Sequence, residues 1–281
     1  MIRLKADLHT HTTCSDGKLT PVELVQCAYE KKLSALSITD HDTFAGYAIA
    51  KEKADELGVE LIPGVEISAT FKEKESHILA YFFDPADKAF ADFLNKQRVL
   101  RKRRIKGIIN MVVKQGISVD YDEVVAEANG ANIGRPHIAR VMVHKGYVAT
   151  VNEAFIRYLS NEKLGKIESG YLDWQEVITC IKESGGASIL AHPALLYTDD
   201  EVQAFIEAGI DGLECIHPSQ NFSLQQKYMH ICERNELLIT GGSDFHGGEY
   251  DMNKHFGTVT ISSKLVEKMR RMTSQRKAIV K

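Results

Sequence analysis

LKADLHTHTTCSDG, residues 4–17, reads as a strand from Leu4 to His9 that runs directly into paired histidines and an acid, Asp16. His9 and His11 are two apart, and side chains two apart on an extended chain share a face, so both imidazoles can grip one ion. The next sixty residues are equally regular. Thr20, Pro21 and Glu23 supply an N-cap, a first-turn proline and a capping-box acid for a helix reaching about Lys32. Ala35 to Thr39 is the next strand, then a helix over Ala45 to Leu57 stopped by Gly58, then a strand over Glu60 to Ile67. Strands alternating with helices in this way mark βα units and a mainly parallel sheet.

His77 to Phe83 makes another apolar strand, after which the rhythm changes. Between about Asp87 and Gly170 apolar positions recur at helical spacing, as in Ile105, Ile108, Ile109 and Val112, so this stretch reads as a helical insertion. The βα rhythm resumes with a helix over Gln175 to Glu183, a strand over Ala187 to Ala191 and a helix over Asp199 to Ala208. Strands over Gly212 to Ile216 and Leu237 to Thr240 come next, separated by a helix around Leu224 to Arg234. The expected division is a barrel-forming domain, 1–86 with 171–281, interrupted by a helical insertion, 87–170.

Histidines and carboxylates recur where these strands end: Asp40 and His41, Glu66, His192 and His217, Asp244 and His246. In parallel α/β barrels the loops at the carboxyl ends of strands converge on one face, so residues distant in sequence meet there. His9, His11, His41, His77, His192 and His246 with Asp16, Glu66 and Asp244, six imidazoles and three carboxylates with no thiolate, suit manganese, iron or zinc and argue against a structural zinc knuckle. Nine ligands are too many for one ion. Two ions roughly 3.5–4 Å apart and bridged by a carboxylate, for which Glu66 is the candidate, would clamp both oxygens of a phosphoryl transfer.

Composition bounds the reading. At 281 residues, 44% hydrophobic and 26% charged, the chain has an ordinary globular composition and enough length to bury a substantial core. No apolar run is long enough to span a bilayer and no signal-peptide core opens the chain, so a cytoplasmic location without membrane contact is expected. Five scattered cysteines, none in a CxxC pair, read as reduced thiols. The net charge of −3 hides a basic segment, Phe93 to Val119, with eight Lys or Arg and no acid. Such a segment suits an anionic ligand, although a solvated helix face explains charge alone as well.

The strings LKADLHTHTTCSDG, ITDHDT, IPGVEIS, LAHP and GSDFHG resemble the motifs of the polymerase and histidinol phosphatase (PHP) family, across Leu4 to His246. The resemblance implies a distorted (β/α)7 barrel with two to three divalent ions at the carboxyl ends of its strands, manganese first, with iron or zinc as alternatives. By the same resemblance the ligands are His9, His11, Asp16, His41, Glu66, His77, His192, Asp244 and His246. One ion would take His9, His11, Glu66 and Asp244, a second Asp16, His41 and Glu66, and a third His77, His192 and His246. Glu66 and Asp244 would then serve catalysis directly.

Asp16 together with a helical insertion resembles the branch of that family acting on nucleotide 3′-phosphates and 5′-phosphorylated RNA ends, as does IGRPHIAR, Ile133 to Arg140. GKIESGYL replaces the small-residue and tyrosine motif that often ends the insertion. Arg135 offers a planar fork suited to a phosphate, and His137 reaches toward the same group; a helix cap with a surface arginine is the plainer alternative. His217, outside the nine, either protonates the leaving oxygen, contacts phosphate or hydrogen-bonds a ligand carboxylate. The expected activity is removal of the 3′-phosphate of 3′,5′-bisphosphonucleotides, trimming of short 5′-phosphorylated RNA or DNA, or both, with no obligate protein partner. A small-metabolite phosphatase, such as one for histidinol phosphate, is disfavoured by Asp16 and the insertion. A non-catalytic module of the polymerase-associated type is disfavoured by the intact ligand set.

Overall fold

A computed structural model describes residues 5–164, 170–194 and 196–280. The chain opens with β1 (Lys5–Asp7), α1 (Pro21–Glu30), β2 (Ala35–Ile38), α2 (Ala45–Leu57) and β3 (Glu60–Phe71). Thr20 caps α1 through the expected capping box with Glu23. Gly58 ends α2 at φ 64°, a left-handed conformation that costs glycine least. β1, β2 and β3 pair in parallel.

The first departure from a βα rhythm comes at β3, which runs on to Phe71 and turns directly into β4 (Lys74–Tyr81). Lys72 and Glu73 sit at φ 44° and 68°, and a two-residue turn with both φ positive matches the right-handed twist of a hairpin. Lys-Glu lacks the Asn-Gly signature of such turns, so the sequence places the strand boundaries short on both sides. β4 is consequently antiparallel to its neighbours, and His77 lies within the strand rather than at its start.

α3 (Lys88–Lys114), α4 (Tyr121–Ala128), α5 (Arg135–His144), α6 (Val151–Ala154), a π-helical turn (Phe155–Leu159) and α7 (Asn161–Leu164) form the helical stretch. At 27 residues α3 is about 40 Å long. Its first half buries Phe90 and Leu94 with Ile67, Ile78 and Ile178, whereas Ile105, Ile108, Ile109 and Val112 join Val124, Ile138 and Met142 in a separate apolar cluster.

α8 (Trp174–Glu183), β5 (Ala187–Leu190), α9 (Asp199–Glu207), β6 (Gly212–Ile216), α10 (Phe222–Arg234) and β7 (Leu238–Gly241) restore the βα alternation. α11 (Glu249–Lys254), β8 (Ile261–Ser262) and α12 (Ser263–Val280) finish the described chain. The sheet order is β7-β6-β5-β4-β3-β2-β1-β8. It curls shut beyond β7, where Leu8 donates to Gly241 O (3.3 Å) and His11 to Phe245 O (2.8 Å). Gly242 makes this closure possible, since a Cβ there would lie 2.3 Å from His9 N. β8 pairs antiparallel with the start of β1, and α12 packs Val266 and Met269 against Ala6, Leu8 and Ile62. The architecture is therefore a distorted, nearly closed barrel formed by this eight-stranded sheet, with the loops at the carboxyl ends of its parallel strands converging. Among the described residues no helix is long and apolar enough to cross a membrane.

Candidate metal centre

The loop after β1 is built around Asp40, whose carboxylate accepts from Thr12 N (2.7 Å), Thr12 Oγ1 (2.6 Å) and Ser15 Oγ (2.6 Å). These bonds fold residues 10–16 back and leave His11 and Asp16 facing each other, Nδ1 to Oδ1 at 3.7 Å. On β3 and β4 the antiparallel register sets Glu66 opposite Leu79 and Ser68 opposite His77. Glu66 and His77 are thus diagonal neighbours on one face, and their Oε1 and Nδ1 meet at 2.8 Å.

Glu66 is the centre of the constellation. Its Oε1 also faces His192 Nε2 at 3.1 Å, and its Oε2 faces His41 Nδ1 at 3.1 Å and Nε2 of both His9 and His11 at 3.3 Å. Asp244 Oδ1 lies 3.3 Å from His9 Nε2 and 3.2 Å from His11 Nε2. Burial opposes ionisation of Glu66, but His77, His41 and His9 outweigh it and hold the carboxyl well below its usual range. Asp16 and Asp244 behave alike: burial is overcome by His246 and His41 in one, by His9 and His246 in the other.

The ninth candidate, His246, is grouped differently from the sequence expectation. It lies with Asp16 and His41, not with His77 and His192: Nε2 is 3.4 Å from Asp16 Oδ1, and its ring stacks on His11 with centroids 4.0 Å apart. The cause is local. Asp244 adopts φ 51°, and His246 Nδ1 bonds back to Asp244 O at 2.8 Å, which turns the ring toward the β1 loop. His192 and His77 remain together beside Glu66 Oε1.

These groups fit a cluster of cations. Nε2 of His9 and His11, Nδ1 of His41 and Oδ1 of Asp16 are buried and have no hydrogen-bond partner, a cost that native interiors avoid unless something else fills the gap. The orphaned atoms converge with carboxylate oxygens, and the donors are nitrogen and oxygen only, as manganese, iron and zinc accept.

In the metal-free protein several of these imidazoles carry protons. Burial works against this, but Glu66 and Glu75 raise His77 to about 10, and Asp16 and Asp244 raise His246 to about 10. Ligation takes neutral imidazole, so ion uptake at pH 7 must expel protons and apparent affinity must rise with pH up to that range. A pH-stat titration with manganese should register proton release, and elemental analysis should return more than one ion per chain; uptake without proton release would contradict the assignment.

Glu214, outside every motif of the sequence, is fully buried and fastens two candidates at once: His9 Nδ1 is 2.9 Å from its Oε1, and His192 N donates to Oε2 at 2.7 Å. Its only sequence signal is a carboxylate inside the apolar strand GLECI. His217 lies beside it, with Nε2 3.4 Å from Asp244 Oδ2 and Nδ1 2.7 Å from Ser219 Oγ.

Against this cluster lies a cavity of about 270 Å³, lined by Asp16, His41, His77, Asp244 and His246 and also by Glu75, Arg101, Arg104 and Arg135. Arg101 and Arg104 come from the basic segment, and they are 4% and 7% exposed while Lys102 and Arg103 are exposed. The basic segment is therefore divided, with Arg101 and Arg104 turned inward and Lys96, Lys102, Arg103, Lys106 and Lys114 solvated. Ser68 Oγ (3.3 Å), Tyr171 OH (3.2 Å) and Asp42 Oδ2 (3.5 Å) hold Arg101. Arg135 donates to Leu159 O (3.2 Å) and lies over the Phe155 ring at 5.7 Å. His137 does not line the cavity; its Nδ1 accepts from Gly134 N at 3.0 Å at the start of α5. Of GKIESGYL, residues 165–169 lie outside the described residues, and Tyr171 lines the cavity. Asn132 Nδ2 donates to His41 O (2.7 Å) and Asn132 N to Cys14 O (2.9 Å), which docks the helical stretch onto the site loops.

Comparison with known proteins agrees with this geometry. The PHP domain family matches residues 7–89. A 5′-3′ exoribonuclease of Haemophilus influenzae is 36% identical over 247 residues, 86% of this chain and 90% of that protein. A 3′,5′-nucleoside bisphosphate phosphatase of Chromobacterium violaceum is 30% identical over 246 residues, 85% and 86% of the two chains. A solved structure from Bifidobacterium adolescentis, assigned as a metal-dependent phosphoesterase, superposes with a TM-score of 0.84 at 32% identity and covers 95% of this chain and 96% of its own. The barrel, the clustered imidazoles and carboxylates, and relatives matched over nearly their whole length make the chain a phosphoric ester hydrolase that belongs to the PHP family of metal-dependent phosphoesterases.

Proposed function

We propose that this enzyme hydrolyses nucleotide phosphate esters, removing the 3′-phosphate of 3′,5′-bisphosphonucleotides and trimming 5′-phosphorylated oligonucleotides from the phosphorylated end. One observation carries the reading: a single cavity is lined both by candidate metal ligands and by three arginines. Such a lining suits a substrate with two phosphates, one at the imidazoles and carboxylates and the other at the arginines. The relatives named as a 5′-3′ exoribonuclease and a 3′,5′-nucleoside bisphosphate phosphatase act at the two kinds of bond this arrangement accommodates.

His9, His11, Asp16, His41, Glu66, His77, His192, Asp244 and His246 would hold two to three divalent ions, manganese first. Such ions supply Lewis acidity to the phosphoryl group and acidify water. The chain's own groups do the rest. Arg135, with Arg101 and Arg104, clamps the 5′-phosphate through planar forks and so places the 3′-ester at the imidazoles and carboxylates. Glu66 and Asp244 keep the imidazoles of His9 and His11 converged. Glu214 and Asp244 outweigh the burial of His217 and hold its imidazolium form above the ordinary histidine range, and its Nε2 is the acid for the leaving oxygen. Helices of 87–170 act as a substrate cap over the barrel formed by 1–86 and 171–281.

Parallel kinetics of the manganese-loaded enzyme on adenosine 3′,5′-bisphosphate, 5′-phosphorylated RNA and histidinol phosphate test this reading. Both nucleotide substrates are expected to exceed histidinol phosphate in kcat/KM. A preference for histidinol phosphate would overturn the proposal.

A further inference from the structure

We infer that Glu75 is a positioning residue that sets ion affinity at His77, and that Arg104 competes for the same carboxylate. Glu75 and His77 are two apart on β4, so they share a face and both line the arginine cavity. The two carboxylate oxygens are divided between two partners. Oε1 lies 3.5 Å from His77 Nε2, while Oε2 accepts from Arg104 Nε (3.2 Å) and Nη2 (2.9 Å), with Arg135 Nη2 at 3.9 Å. His77 Nδ1 points the other way, 2.8 Å from Glu66 Oε1.

An imidazole that ligates through one nitrogen is oriented and made a better donor by a carboxylate on the other. The same arrangement recurs at His9, where Nδ1 meets Glu214 at 2.9 Å and Nε2 faces the cluster. Glu75 differs from Glu214 in one respect: its second oxygen is held by a guanidinium that belongs to the substrate cavity. A cation on one oxygen reduces the negative charge the other offers, so Arg104 tempers what Glu75 gives His77. An anion that recruits Arg104 therefore leaves more of Glu75 to His77 and tightens the ion there. By linkage the ion tightens the anion in turn. This last link rests on the reading of the cavity as the seat of a phosphate.

The test measures manganese affinity by competition with a chromogenic chelator on the full chain without nucleotide, so failure of the nucleotide reading leaves it standing. Glu75→Gln is expected to weaken one ion roughly 10–100-fold and leave the others as in the parent. Arg104→Met, which imitates an Arg104 drawn away by an anion, is expected to bind that ion several-fold more tightly than the parent, and parental affinity there would refute the competition. Matching thermal melts of the metal-free proteins separate a lost ion from a lost fold. Parental ion affinity in Glu75→Gln would overturn the inference. So would a loss in Arg104→Met as large as that in Glu75→Gln, because it would reduce the pair to packing structure.

Discussion

Glu66→Gln is expected to lower kcat/KM on every substrate by on the order of 10³-fold, the scale of losing preorganised electrostatic stabilisation at a reacting phosphoryl group. Glu66 faces His9, His11, His41, His77 and His192 at distances between 2.8 and 3.3 Å, so an amide there removes the charge that all these imidazoles share. Its side chain is 1% exposed, and water cannot replace it. Breaking a buried ion pair costs about 3–5 kcal/mol, so the metal-free protein should also melt earlier. Kinetics, elemental analysis and calorimetry on one preparation check all three effects. Full activity with parental metal content would exclude Glu66 from the centre.

Arg135→Ala is expected to lose roughly 10–100-fold in kcat/KM on substrates with a 5′-phosphate, the value of a charge-assisted contact of about 1.5–3 kcal/mol. Its metal content should match the parent, since guanidinium donates hydrogen bonds and ligates no ion. Adenosine 3′-monophosphate, which lacks the group Arg135 would hold, should be turned over alike by variant and parent. Equal losses on both substrates would assign Arg135 to packing through Leu159 O and Phe155 instead.

Much of the barrel was legible because local signals were strong. Thr20-Pro21-Glu23 begins α1, Gly58 ends α2, and the runs over Ala35–Thr39 and Gly212–Ile216 match the strands Ala35–Ile38 and Gly212–Ile216 to within a residue. The β3–β4 hairpin was not, because Lys72-Glu73 adopts a turn that its side chains do not advertise and only the sheet enforces. The short β8 was missed as well, since two residues carry no periodicity. At the site, the HxH pair and the strand-end histidines pointed to their convergence. The sequence could not reveal the partition among ion positions, because His246 depends on the backbone turn at Asp244. Nor could charge counting divide the basic segment: Arg101 and Arg104 differ from Lys102 and Arg103 only in the face of α3 they occupy. Glu75 and Glu214 were hidden for a similar reason, as their meaning lies in partners distant along the chain.

The most direct measurement is the product formed from adenosine 3′,5′-bisphosphate by the manganese-loaded enzyme, resolved by phosphorus NMR or chromatography. A phosphate held by Arg135, Arg101 and Arg104 would survive, while the one placed at the imidazoles and carboxylates would be cleaved. The account predicts adenosine 5′-monophosphate and inorganic phosphate, and by the same geometry release of a 5′-mononucleotide from 5′-phosphorylated RNA. Accumulation of adenosine 3′-monophosphate would contradict it, since the substrate would then bind in the reverse sense.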